Sequence, residues 1–219
     1  MLGFGRPQHW PGLFGGEVRT TPTFIAAAHT PNNNTMTPTS AVGDLQLVFD
    51  TRTTSTIPQV LTGFTSIATM ATPATFATAG RVMYRFTTSI NQVVPANGDA
   101  STNSRMVCVY RNVDPVAPIF AVMSQFGTVS PILVPALGAL PGNTIVGAGF
   151  RARDIDSESL TFTSVITHRA GQGAAGPFKI GDSNGALASF AGLSLPLVTT
   201  APDSQKWIAW AAALRGALA

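Results

Sequence analysis

Ser183 sits in GDSNG (181–185), which matches the G-x-S-x-G pattern of a nucleophile elbow. A serine in that turn attacks a carbonyl only when a strand-to-helix turn exposes it and a later histidine accepts its proton. The last histidine of this chain is His168, ahead of Ser183, and no strand–helix alternation surrounds it. Asp-Ser-Asn-Gly therefore reads as an ordinary turn. Asp154, Asp156 and Glu158 in RDIDSES offer the oxygen ligands that a hard cation accepts, but Ser159 stands where an EF-hand loop needs glycine. A charged turn with Arg151 and Arg153 as counter-charges is the expectation there. His9, His29 and His168 are far apart in sequence and lack metal-ligand spacing. No phosphate-cradling loop or zinc cluster is found, so neither a cofactor nor a catalytic role is expected.

A different polar cluster interrupts the apolar run MVCVYRNVDPVAPIF (106–120). Pro115 pushes Asp114 toward extended backbone and cannot continue a ladder, and Pro118 repeats the constraint. Asp114 can cap its own turn by accepting a backbone N–H. Tyr110 and Arg111 end the strand, Asn112 tolerates a positive φ, and Arg111 is placed to pair with Asp114. The expectation is a rigid structural corner made of Tyr110, Arg111, Asn112, Asp114, Pro115 and Pro118, rather than an exposed binding loop.

The elements that position these residues are short. TFIAAAH (23–29), DLQLVFD (44–50), FTSIATM (64–70), RVMYRFTT (81–88), SRMVCVYR (104–111), IFAVMSQ (119–125), NTIVGAGFR (143–151), SLTFTSVITH (159–168) and KWIAWAAAL (206–214) are β-like runs. Leu45, Leu47 and Phe49 alternate onto one face, as do Val82, Tyr84 and Phe86, which is the period of half-buried antiparallel strands. PNNN, TPTS, ANGD, LPGN, GDSNG and APDS separate the runs with turn chemistry. The alanines of the last run would suit a helix, but the alternation of Trp207, Ala209 and Ala211 favours a strand through Ala211. One tryptophan of Trp207 and Trp210 is expected in the core, the other in the core or at an interface. Together these features predict an all-β, antiparallel two-sheet sandwich of jelly-roll or Greek-key type over residues 23–219.

Residues 1–22 differ. Leu2, Phe4, Trp10, Leu13 and Phe14 alternate with five glycines, which suits neither a regular element nor a solvated tail. An arm that docks these apolar side chains on a neighbouring chain fits both facts. Composition agrees with life in an assembly. Charged residues make up 11% of the chain, against roughly 25% in ordinary domains. Arginines outnumber lysines eleven to two, the bias of interface cores. Copies of the chain are expected to associate, with a trimer the default for a sandwich. The net charge of +3 is spread without a basic stripe, so nucleic acid is not an expected partner. No apolar run reaches the roughly 18 residues of a membrane span. Cys108 is the lone cysteine and is expected to be a small buried apolar residue. No basic n-region with an apolar h-region opens the sequence, so export by a signal peptide is not expected.

The series GDLQLVF (43–49), GFTSIA (63–68), GRVMYRFTT (80–88), SRMVCVYRNVDPVAPIFA (104–121) and KWIAWAAAL (206–214) resembles a β-sandwich module of tailed-bacteriophage virion proteins. Tyr110–Pro115 is the most specific part of the likeness; Asn112 replaces the glycine usual in that pattern. The resemblance implies a structural or host-contacting virion part, made in the bacterial cytoplasm and released by lysis. It also implies other virion proteins as partners. A host-surface glycan is the alternative partner, presented to loops that carry Asn32, Asn33, Asn34, Asn97 and Asn103.

Overall fold

The computed structural model describes residues 17–30, 34–73, 77–96, 103–152, 162, 165–172, 178–195 and 206–219. Among them no helix occurs, and fourteen strands do. These are β1 (Thr23–Thr30), β2 (Leu45–Arg52), β3 (Thr65–Ala71), β4 (Ala79–Phe86), β5 (Asn103–Arg111), β6 (Ile119–Gly127) and β7 (Ile132–Val134). They continue with β8 (Gly138–Ala139), β9 (Thr144–Ala152), β10 (Thr167–Gln172), β11 (Phe178–Asp182), β12 (Ser189–Phe190), β13 (Leu193–Leu195) and β14 (Trp207–Arg215).

Ten of the strands form two five-stranded sheets, ordered β1-β5-β2-β4-β3 and β10-β11-β9-β14-β6. Every pairing is antiparallel. The sheets face each other across a core to which the alternating positions contribute, as the sequence predicts. Leu45, Leu47, Phe49 and Val82 come from the first sheet; Phe178, Ile180, Ile208 and Trp210 come from the second. Phe49 lies edge-on to both Phe178 (5.0 Å between centroids) and Trp210 (5.3 Å), the T-shaped geometry that a ring quadrupole favours.

Alternation alone predicts half-buried strands, yet β2 and β9 are buried along their whole length. The outer faces are covered as well. Met36, Leu61, Phe64 and Val94, from the connections, pack on Val48, Met83, Val107 and Val109 of the first sheet. The short pairs β7–β13 and β8–β12 cover the outer face of the second sheet, where Ile132, Val134, Phe190 and Leu195 meet Phe150 and Trp207. Trp207 and Trp210 are thus both core residues, on opposite faces of β14. Each lies beside a glycine of the adjoining strand: Trp207 pairs with Gly127 and Trp210 with Gly149. A Cβ at Gly149 would stand 2.4 Å from the indole nitrogen, so only glycine admits the ring.

Eight of the nine expected runs coincide with strands, and the last extends to Arg215 rather than stopping at Ala211. The expected strand over 159–168 falls mostly outside the described residues; the strand observed nearby begins at Thr167. β7, β8, β11, β12 and β13 were not predicted. Four of these have only two or three residues, too few for a period to register. In β11, FKIGD, Lys179 and Gly181 interrupt the apolar pattern although all five residues are buried.

Candidate functional site

Asn112 adopts φ +61°, as its place in the corner requires. The left-handed step sends Arg111 and Asp114 in different directions, and this overturns the expected Arg111–Asp114 pair. Arg111, still in β5, pairs with Asp44 at the mouth of β2: Nε donates to Oδ1 at 2.8 Å and Nη2 to Oδ2 at 2.9 Å. Burial pushes the Asp44 carboxyl up, but the Arg111 guanidinium and the Ala41 N–H outweigh it and hold the pKa below its ordinary value.

Asp114 turns instead toward the end of β14. Its Oδ1 accepts the N–H groups of Val116 (2.9 Å) and Ala117 (3.2 Å), the expected self-capping, while Oδ2 accepts from Arg19 Nη1 at 2.6 Å. Burial raises its pKa, and the Val116 N–H, Arg19 and the Ala117 N–H together bring it below the ordinary value. Arg19 also donates to the Gly216 carbonyl at 3.0 Å. Around this pair short bridges tie the last residues down, Val113 with Gly216 and Arg19 with Leu218. The Ala219 N–H donates to the Val18 carbonyl at 2.9 Å. Pro118 is buried and accepts the Arg215 N–H at 2.9 Å, whereas Pro115 is exposed. The corner is therefore a clasp joining residues 17–20, β5 and the C-terminus. The arm residues Leu2, Phe4, Trp10, Leu13 and Phe14 lie outside the described residues, as do Asp154, Asp156 and Glu158.

Tyr110 is fully buried and points the other way, across the sandwich, donating from its hydroxyl to Asp182 Oδ2 at 3.1 Å. Asp182 belongs to β11 of the opposite sheet. Arg169 on β10 grips it in a bidentate pair, Nε to Oδ2 and Nη2 to Oδ1, both 2.9 Å. The same Nη2 donates to Asn184 Oδ1 at 2.6 Å, and the guanidinium lies 4.1 Å from the centre of the Phe24 ring on β1. Burial lowers the Arg169 pKa, but the hydrogen bond and charge of Asp182 leave it raised. Burial, with the nearby Asp182 charge and the Cys108 thiol, pushes the Tyr110 phenol well up, so it donates rather than ionises. Cys108 is buried as expected, and burial raises its pKa too, which leaves an inert thiol.

Over this network opens a pocket of about 350 Å³ whose walls include Thr21, Thr23, Phe24, Ile145, Arg169 and Asn184. Sequence reasoning misses it, because the turn pattern GDSNG absorbs Asp182. A signal existed: Phe178, Ile180 and Asp182 alternate, which puts a carboxylate on a core-facing position, and such a group needs a cation. Ser183 next to it is engaged by the turn. Its hydroxyl donates to the Gly185 carbonyl at 2.5 Å and accepts the Val146 N–H at 3.1 Å. Among the described residues no three His, Cys, Asp or Glu side chains gather as a metal site, and no helix is long and apolar enough to cross a membrane.

At the far side of the sandwich the chemistry is apolar. Phe120, Met123 and Phe126 of β6 are 42%, 52% and 48% exposed, and Val116 and Val129 stand open just before and after the strand. No family model, curated protein or solved structure matches the chain.

Proposed function

We propose that the chain is a non-enzymatic structural subunit of a bacteriophage virion, an accessory surface module such as a decoration, collar or tail-fibre base. It docks through its N-terminal arm and assembles with copies of itself and other virion proteins. One observation carries this reading: the singled-out polar residues close internal locks, while the edge strand β6 carries no charge and leaves Phe120, Met123 and Phe126 exposed. Long, uncharged apolar edges are avoided in free monomers and suit a surface destined to be covered. The likeness to virion sandwich modules, which covers roughly residues 23–214, points the same way. The test is to follow incorporation of the tagged chain into purified particles. Deleting residues 1–16, which spares the Arg19 clasp, is expected to leave a folded sandwich that no longer joins them. Normal incorporation of the truncated chain would refute docking by the arm, and absence of the full chain from particles would refute the virion reading.

A second reading, glycan binding for host attachment, is favoured by the pocket beside Phe24, where Thr21, Thr23 and Asn184 offer polar groups around an aromatic wall. Titration with monosaccharides is its test. Binding that Asn184→Ala weakens would favour this reading over the first.

A further inference from the structure

We infer that β6 pairs edge to edge with β6 of a second copy, antiparallel about a two-fold axis at Met123, so that the second sheet runs continuously through a dimer. The inference rests on the assembly reading and supplies its contact. β6 is the last strand of its sheet, and among the described residues it has a strand partner, β14, on one side only. Natural edges are blunted by lysine, proline, bulges or brevity. β6 has nine residues, IFAVMSQFG, with no charge and no proline. Its single register irregularity is at Phe120, which β14 skips: Ala213 pairs with Ala121 and Leu214 with Ile119, so the ladder is regular from Ala121 to Gly127. β3, the edge of the first sheet on the same side, reads TSIATMA and is also uncharged; the Ser124 hydroxyl donates across to the Thr69 carbonyl at 3.4 Å.

The occupant follows from symmetry. Met123 is the midpoint of Ile119–Gly127, with the exposed Phe120 near one end of the strand and Phe126 near the other. Antiparallel pairing of two copies about that midpoint sets Met123 against Met123 of the second copy. It also sets Ala121 against Gln125 and Val122 against Ser124 on either side, and brings each Phe126 to the end of the other strand that carries Phe120. A two-fold contact brings like groups together, so a charged edge would repel itself, and here neither edge strand carries a charge to do so. Nine residues at about 3.3 Å each, across two sheets roughly 10 Å apart with their side chains, offer on the order of 600 Å² per copy. That is somewhat under the ~800 Å² per partner of a standard stable interface. The contact is therefore a weak dimer in solution, strengthened where many copies are held together. A two-fold axis combines with a three-fold into a closed six-copy assembly, so it does not compete with trimer formation.

The full chain with single-cysteine replacements tests the register, since Cys108 is buried and does not compete. Under mild oxidation Met123→Cys is expected to form a disulfide dimer with itself. Ala121→Cys and Gln125→Cys, both on the regular part of the strand and two positions either side of Met123, are each expected to crosslink poorly alone. Mixed in equal amounts they should join at least about tenfold faster, because a disulfide needs its Cβ atoms within about 4.5 Å. Sedimentation of the wild-type chain should show a concentration-dependent dimer that Met123→Lys abolishes. A strictly monomeric wild type, or crosslinking by Ala121→Cys alone as fast as by the mixture, overturns the proposal. If such a chain still enters particles, only the two-fold contact is wrong; if it is absent from them, the assembly reading falls too.

Discussion

The two sides of the sandwich solve the same problem in opposite ways. On one side β1 and β10 are the edge strands, and the gap between the sheets is bridged by Arg169, Asp182, Tyr110 and Phe24. On the other side β3 and β6 are the edges, and Phe120, Met123 and Phe126 are left to solvent. A buried carboxylate held by a guanidinium and a phenol is satisfied only within its own chain. Exposed apolar side chains are satisfied only by something outside it. The first side should therefore answer to mutation in folding stability, and the second in association.

Asp182→Ala gives the largest expected effect. It removes a carboxylate that is fully buried, leaves the Tyr110 hydroxyl and the Asn184 N–H without their acceptor, and leaves the Arg169 guanidinium with Asn184 Oδ1 in place of its counter-charge. Breaking a buried pair from one side costs about 3–5 kcal/mol, read as a drop in the urea midpoint. A loss under about 1 kcal/mol would mean that water replaces the carboxylate and that this side is no tighter than the other. Tyr110→Phe is milder. It deletes one hydrogen bond to a charged acceptor and keeps the ring edge-on to Phe24 at 6.0 Å, so about 1.5–3 kcal/mol is expected from the same measurement.

Acid should act on the locks and spare the apolar edge. Asp44 and Asp114 have folded pKa values below the ordinary 3.8, so the folded state binds fewer protons than the unfolded chain as pH falls past that value. Their contribution is complete above pH 3.8 and is lost progressively below it. His168 is lowered from 6.5 by burial and by Lys179, and its penalty for charging begins at higher pH, as the medium falls through 6.5. Urea midpoints should therefore fall gently below pH 6.5 and more steeply below 3.8. A flat profile between pH 7 and 3 would remove the electrostatic account of the clasp.

The difference between the two sides also decides what the sequence could reveal. Strands with clean alternation, such as DLQLVFD, declare both their existence and their inward face, because burial on one side is a local pattern. The positive φ of Asn112 and the self-capping of Asp114 are local too and were legible. The partners of Arg111 and Asp114 were not: Asp44 lies 67 residues from Arg111, and Arg19 lies 95 from Asp114. Proximity along the chain suggested the pair, and a left-handed turn that separates the two side chains defeated it. Asp182 was hidden by its neighbours, since a turn-like GDSNG masks a carboxylate on the core face of a five-residue strand. The full burial of β2 and β9 was equally hidden, because the residues that cover their outer faces arrive from irregular connections and two- or three-residue strands. The edge position of β6 is topological: IFAVMSQ reads as an ordinary apolar strand until the sheet order leaves it without a second neighbour.

The smallest expected effect on folding is at that edge, and it is the one that separates the two sides most cleanly. Met123 is half exposed and on the outermost strand, so Met123→Lys removes little buried surface and adds a charge where water can reach it. Surface changes of this kind shift stability by no more than about 0.5 kcal/mol. The same lysine placed at a two-fold axis faces its own copy at strand-pairing distance, and like charges directly opposite each other on adjacent strands are destabilising. The variant should thus keep the wild-type urea midpoint while sedimenting as a monomer at concentrations where the wild type pairs. If it instead unfolds the chain, β6 belongs to the interior as firmly as β11 does, and the contrast between a side closed by its own residues and a side closed by a neighbour disappears.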